Sequence, residues 1–283
     1  MAREIRTVRA AALEALGRFR FHEFAPFAWM LAVELVVLVL AMNLGTAWGM
    51  ATVGFLTERI AGDGPLHYPV FYAFLPTLMT NLEAVLYALA GSILIPLAVM
   101  RVLTPIDPAS IPAHGVGARL KQAFLPVLTA AVASEALILG WQWVLNQRAV
   151  SGLIRTIFRG GLAGTAGVAL IGLLVGYAIW TLFVFVPVSS VQPGRSYGAA
   201  LGGGIREGLA NFGSTYFVVI GLSLPAAAIL LVLQTMGGYL VTQIRPEIIG
   251  VLIGIYTILS MLASFFIYSA AARFYQARRV EAE

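Results

Sequence analysis

Six stretches of this sequence, 27–50, 81–100, 122–146, 162–186, 214–236 and 248–271, hold only three charged residues between them: Glu34, Glu83 and Glu135. Each is long enough to matter. A bilayer core about 30 Å thick is crossed by about 20 helical residues. Inside it the backbone must satisfy its own hydrogen bonds, which selects the helix. Composition agrees: 60% of residues are hydrophobic and 11% charged, against about 45–50% and about 25% in a soluble domain. The expected fold is all-α: a polytopic membrane bundle of about six transmembrane helices, with the lipid bilayer as its first partner.

Residues 1–26 read differently. Ile5, Val8, Ala12, Leu16 and Phe19 recur at helical spacing, and Arg3, Arg6, Arg9, Arg18 and Arg20 lie mostly off that stripe. This suits an N-terminal amphipathic helix in the membrane interface; a charged helix packed on the protein's own loops fits equally well. A cleavable signal peptide is not expected, because no short apolar core precedes a small-residue cleavage site. Pro26 is expected to end this helix before a transmembrane domain covering 27–283. The apolar run from Pro69 to Met100 is too long for one straight span. Thr80 followed by Glu83 has the form of a capping box, so a short outer or re-entrant segment over 67–79 and a span over 81–100 are expected.

Basic residues set the orientation. Thirteen fall on the side of the N-terminus (Arg3, Arg6, Arg9, Arg18, Arg20, Arg101, Arg119, Lys121, Arg195, Arg206, Arg273, Arg278, Arg279). Five fall on the other (Arg59, Arg148, Arg155, Arg159, Arg245). Both termini are therefore expected in the cytoplasm, and the surplus of Lys and Arg suits an anionic inner leaflet rather than nucleic acid. The segment 147–161 carries three of those five arginines beside Leu153, Ile154, Ile157 and Phe158. An outer interfacial helix would account for it, and so would a missed span. Residues 187–213 form a long glycine-rich cytoplasmic segment. The run Ala73–Leu78 (AFLPTL) recurs in part as Ala123–Leu128 (AFLPVL), a hint of duplication.

Catalytic signatures are lacking. There is no cysteine, hence no disulfide, thiolate metal site or cysteine nucleophile. The three histidines, His22, His67 and His114, lie outside the expected spans, and no group has metal-ligand spacing. No enzyme activity, metal or cofactor is expected. What remains are acidic residues in apolar runs, which are costly and by default functional. Glu34 and Glu135 are candidates for an ion or substrate path. Their structural alternative is a protonated carboxyl bonded to a neighbouring helix, for example through Asn43, Ser134 or Gln142, or to a backbone carbonyl. Glu83 is already explained by the capping role. Gly172 with Gly176, and Gly250 with Gly254, have the spacing that lets membrane helices pack closely, within the chain or between copies.

The stretch Phe183-Val184-Phe185-Val186-Pro187-Val188-Ser189-Ser190-Val191, then Ser196-Tyr197-Gly198-Ala199-Ala200-Leu201 and Arg206-Glu207-Gly208, leads into an apolar span. It resembles the junction between the fourth and fifth spans in a group of six-span bacterial membrane families. That group includes the membrane domain fused to some glycerophosphodiester phosphodiesterases. The chain departs from these families at Gln192-Pro193-Gly194, where an acidic residue with glycine is common. The resemblance implies the six-span fold and a bacterial inner membrane, and no catalytic activity, since this chain carries no phosphodiesterase domain.

Two functions follow as expectations. One is a non-enzymatic membrane subunit that scaffolds, anchors or regulates a protein partner or a second copy, with Arg195, Tyr197, Arg206 and Glu207 at the interface. The other is a transporter or permease subunit, for example of an ABC exporter, with Glu34 and Glu135 in the path. An intramembrane lipid enzyme ranks below both, because these carboxyls lack catalytic companions in the sequence.

Overall fold

The computed structural model describes residues 7–43, 70–106, 115–158 and 160–282. Every regular element among them is helical. In chain order these are α1 (Val8–Gly17), α2 (Phe21–Asn43), α3 (Val70–Leu89), α4 (Gly91–Leu103), α5 (Val116–Asn146), α6 (Arg148–Ile157), α7 (Gly161–Phe183), α8 (Val186–Ser190), α9 (Tyr197–Ala210), α10 (Phe212–Tyr239) and α11 (Ile248–Ala282). A π-helical turn, Leu240–Ile244, extends α10. Residues 44–50 of the first expected span lie outside the described residues, as do Arg3, Ile5, Arg6, Arg59, His67, His114 and Arg159.

Among the described residues five helices are long and apolar enough to cross a membrane, and a bent pair, α3 with α4, makes a sixth if taken as one span. The chain is thus a multi-pass, all-α membrane bundle. The pair behaves as one broken span: α3 packs on the π turn at one end of the bundle, and α4 on α8 at the other. The break is not where the sequence suggested. α3 runs without interruption through Pro76 and Thr80, and the 59° bend falls at Ala90. Thr80 caps nothing. Its hydroxyl donates back to the Pro76 carbonyl at 2.9 Å, a bond that belongs to a helix interior. The bend instead follows the pair Gly91-Ser92, whose serine hydroxyl bonds back to the Ala88 carbonyl. Glycine–serine pairs are a common cause of kinks.

Pro26 likewise does not end a helix. The break falls at Phe19–Arg20, and Pro26 lies inside α2. Its missing N–H would have bonded the His22 carbonyl four residues back. The Arg101 guanidinium supplies that bond at 2.8 Å.

α1 turns small residues inward. Val8, Ala11, Ala12 and Ala15 are buried against α11 and α10, whereas Leu13 and Leu16 face outward. Its Glu14 pairs with the buried Arg273 of α11 at 3.4 Å, and Glu23 of α2 lies 3.7 Å from the same guanidinium. The first and last described helices therefore meet at one end of the bundle. α6 sits at the other end. With ten residues it is about 15 Å long, too short to be a missed span.

The glycines of α9 have a packing role. A Cβ on Gly204 would lie 2.5 Å from Val186 Cα, and one on Gly208 would strike the Leu182 carbonyl. α9 thus lies directly on the end of α7 and on α8, fixed at its start by the Ser196 hydroxyl, which accepts from Ala199 N–H.

The apolar core has two parts. One fills the α1 end with Phe24, Phe27, Phe185, Phe265 and Phe274. The other, around Leu38, Phe71, Leu75, Leu240 and Ile249, joins α2, α3, α10 and α11 near the α6 end.

Candidate functional site

Beside the second apolar cluster the helices separate around a cavity of about 610 Å³. It is walled by α2, α3, α5, α7, α10 and α11. Its lining runs along α5 from Ser134 to Asn146, about 18 Å of helix. It thus extends from mid-bundle to the α6 end, where Asn146, Arg155, Thr165 and Gln234 form the rim.

Helical spans bring the acidic residues here from three different elements. Glu34 comes from α2, Glu83 from α3 and Glu135 from α5, and all three line the cavity. Glu34 is 3% exposed and has no hydrogen-bond partner among the described residues. Glu83 accepts a bond from the Thr257 hydroxyl of α11 at 3.2 Å. It lies close enough to both Glu34 and Glu135 to interact with them electrostatically. The carboxyls do not converge on a point: among the described residues no group of three or more His, Cys, Asp or Glu could hold a metal ion. Arg155 at the rim is the one basic residue of the lining among the described residues.

The inner end is aromatic. The Tyr87 and Tyr268 hydroxyls share a hydrogen bond of 2.9 Å, and Trp180 packs edge-on to Tyr268 with ring centroids 6.0 Å apart. Higher up, Tyr177 and Ser223, and Tyr256 and Ser260, also line the cavity. These serines and tyrosines give the wall hydroxyl groups on α7, α10 and α11.

Glu34 and Glu135, read from sequence as a path, thus share one cavity. Among the described residues no hydrogen bond joins either carboxyl to Asn43, Ser134 or Gln142, the side chains named for their structural alternative. Ser134 donates to Ala131 O at 2.9 Å and Asn43 to Val39 O at 2.7 Å, each within its own helix, while Gln142 faces the cavity. Glu83 is the residue that sequence reasoning misassigned. An acidic residue three positions after a threonine looks the same in a cap and in mid-helix, and only the unbroken α3 separates the two. The aromatic wall had no sequence signal, because Tyr87, Tyr177, Trp180 and Tyr256 lie inside the expected spans, where an aromatic residue reads the same whether it meets a cavity, another helix or lipid.

The glycine pairs divide. Gly250 and Gly254 face Met42 and Leu38 of α2 and serve packing within the chain, whereas Gly172 and Gly176 line the cavity. The four residues considered for a partner interface are mostly engaged internally. Arg195 donates to Ser189 Oγ, Ala199 O and, at 2.8 Å, Tyr275 Oη. Tyr197 donates to Thr129, Glu207 pairs with Arg278 at 3.0 Å, and Arg206 is exposed.

Comparisons with family models, with curated proteins and with solved structures give no match for this chain.

Proposed function

We propose that this multi-pass membrane protein is a non-enzymatic solute carrier or permease subunit whose binding site is the cavity holding Glu34, Glu83 and Glu135. The observation that carries the reading is the cavity itself. Its volume of about 610 Å³ falls in the range of small-molecule sites, about 300–1,000 Å³, and it places carboxyl groups at membrane depth, where ionisable residues mark substrate and ion pathways. A structural bundle does not require carboxyl groups around a hollow between its spans, and the segment 187–213 holds itself in place through Arg195, Tyr197 and Glu207. We place the protein in a bacterial inner membrane with both termini cytoplasmic. Support comes from the basic residues: Arg101, Arg119, Arg195, Arg273 and Arg278 gather at the α1 end, against Arg148, Arg155 and Arg245 at the other. The cavity mouth would then face outward.

The chain contains no cysteine, so a single Ser264→Cys variant reports on the inner part of the cavity alone. In sealed proteoliposomes of known orientation, a carrier exposes this position to a membrane-impermeant maleimide from both sides. Labelling from one side only, in a variant that remains monodisperse on size exclusion, would sink the carrier reading and favour a static subunit.

A further inference from the structure

We infer that the solute is a monovalent organic cation with an apolar body; the inference rests on the carrier reading and sharpens it. Charge comes first. Among the described residues the lining holds three carboxyl groups and a single arginine, and that arginine is at the rim. The interior of the cavity offers an anion no Lys, Arg or His among the described residues.

Glu34 supplies the second observation. It is 3% exposed, faces the cavity and has no hydrogen-bond partner among the described residues. A carboxyl group in such a place is ionised at little cost only with a positive charge beside it. A cation in the cavity would supply that charge, with Glu83 and Glu135 on the other walls adding to the attraction.

Size and lining then choose between kinds of cation. An inorganic ion would leave most of about 610 Å³ unfilled. A divalent metal would need acidic ligands gathered around one point, and the described residues provide no such group. The walls instead carry the aromatic rings of Tyr87, Tyr177, Trp180 and Tyr256. Aromatic faces attract organic cations through the ring quadrupole. Leu173, Leu230 and Met261 fill the spaces between and suit a hydrocarbon body.

The test uses two ions of the same shape and opposite charge, tetraphenylphosphonium and tetraphenylborate. Equilibrium binding is measured on the purified full-length protein in nanodiscs, with empty nanodiscs correcting for partition into lipid. Tetraphenylphosphonium is expected to bind at least tenfold tighter than tetraphenylborate, and Glu34→Gln to weaken it at least tenfold. Glu135→Gln, at a half-buried position, is expected to weaken it several-fold and serves if Glu34→Gln fails to fold. Equal affinity for the two ions, preference for the borate, or unchanged phosphonium affinity in a folded glutamine variant overturns the inference. Two-sided labelling of Ser264→Cys together with no cation preference would leave the carrier standing and remove the cation. Cation binding with one-sided labelling would do the reverse.

Discussion

Thr257 donates its hydroxyl to Glu83 Oε1 across 3.2 Å, tying the first third of α11 to the second half of α3. This is the one direct hydrogen bond to a cavity carboxyl among the described residues. It holds Glu83 between Glu34 and Glu135. Thr257 is buried, so no water replaces it when the hydroxyl is removed. Thr257→Val keeps the shape and deletes the donor. It is expected to lower stability by about 1–2 kcal/mol, read from unfolding in detergent, whereas Thr257→Ser should remain near the parent. Equal stability of the valine and serine variants would mean that the bond contributes nothing.

Pro26 and Arg101 form a second dependent pair. The proline withholds an N–H from the His22 carbonyl, and the arginine donates to that carbonyl at 2.8 Å. Arg101→Ala should cost about 1–3 kcal/mol by leaving the acceptor unsatisfied. In a Pro26→Ala background the helix supplies its own donor, and the same substitution should cost clearly less. A double-mutant cycle measures the difference. Strict additivity would show that the arginine does not compensate for the proline.

The glycines of α9 are expected to differ sharply from one another. Alanine at Gly204 or Gly208 places a methyl group against backbone atoms of Val186 or Leu182, which cannot move aside as a side chain can. Each substitution should destabilise by about 1–3 kcal/mol. Gly202 has open space where a Cβ would go, so Gly202→Ala should stabilise by up to about 1 kcal/mol through helix propensity. Thermal unfolding of the three variants side by side decides it.

Membrane residence and helical class were determined by sequence, because both depend on quantities that run along the chain. Twenty apolar residues are long enough to span, and in lipid only a helix satisfies such a segment. The acidic residues at 34 and 135 stood out for the same reason. Where the helices break was less legible. Pro26 and Pro76 signal interruption locally, yet both lie inside helices, and at Pro26 a distant arginine replaces the lost donor. The site was decided by tertiary structure alone. Glu34, Glu83 and Glu135 are separated by 49 and 52 positions in a sequence of 283. They share a cavity only because α2, α3 and α5 turn particular faces toward one another. Which face a helix presents, and whether two neighbours touch or stand apart, follows from the fit of side chains on different helices, and hydropathy along one strand of sequence carries no record of that fit.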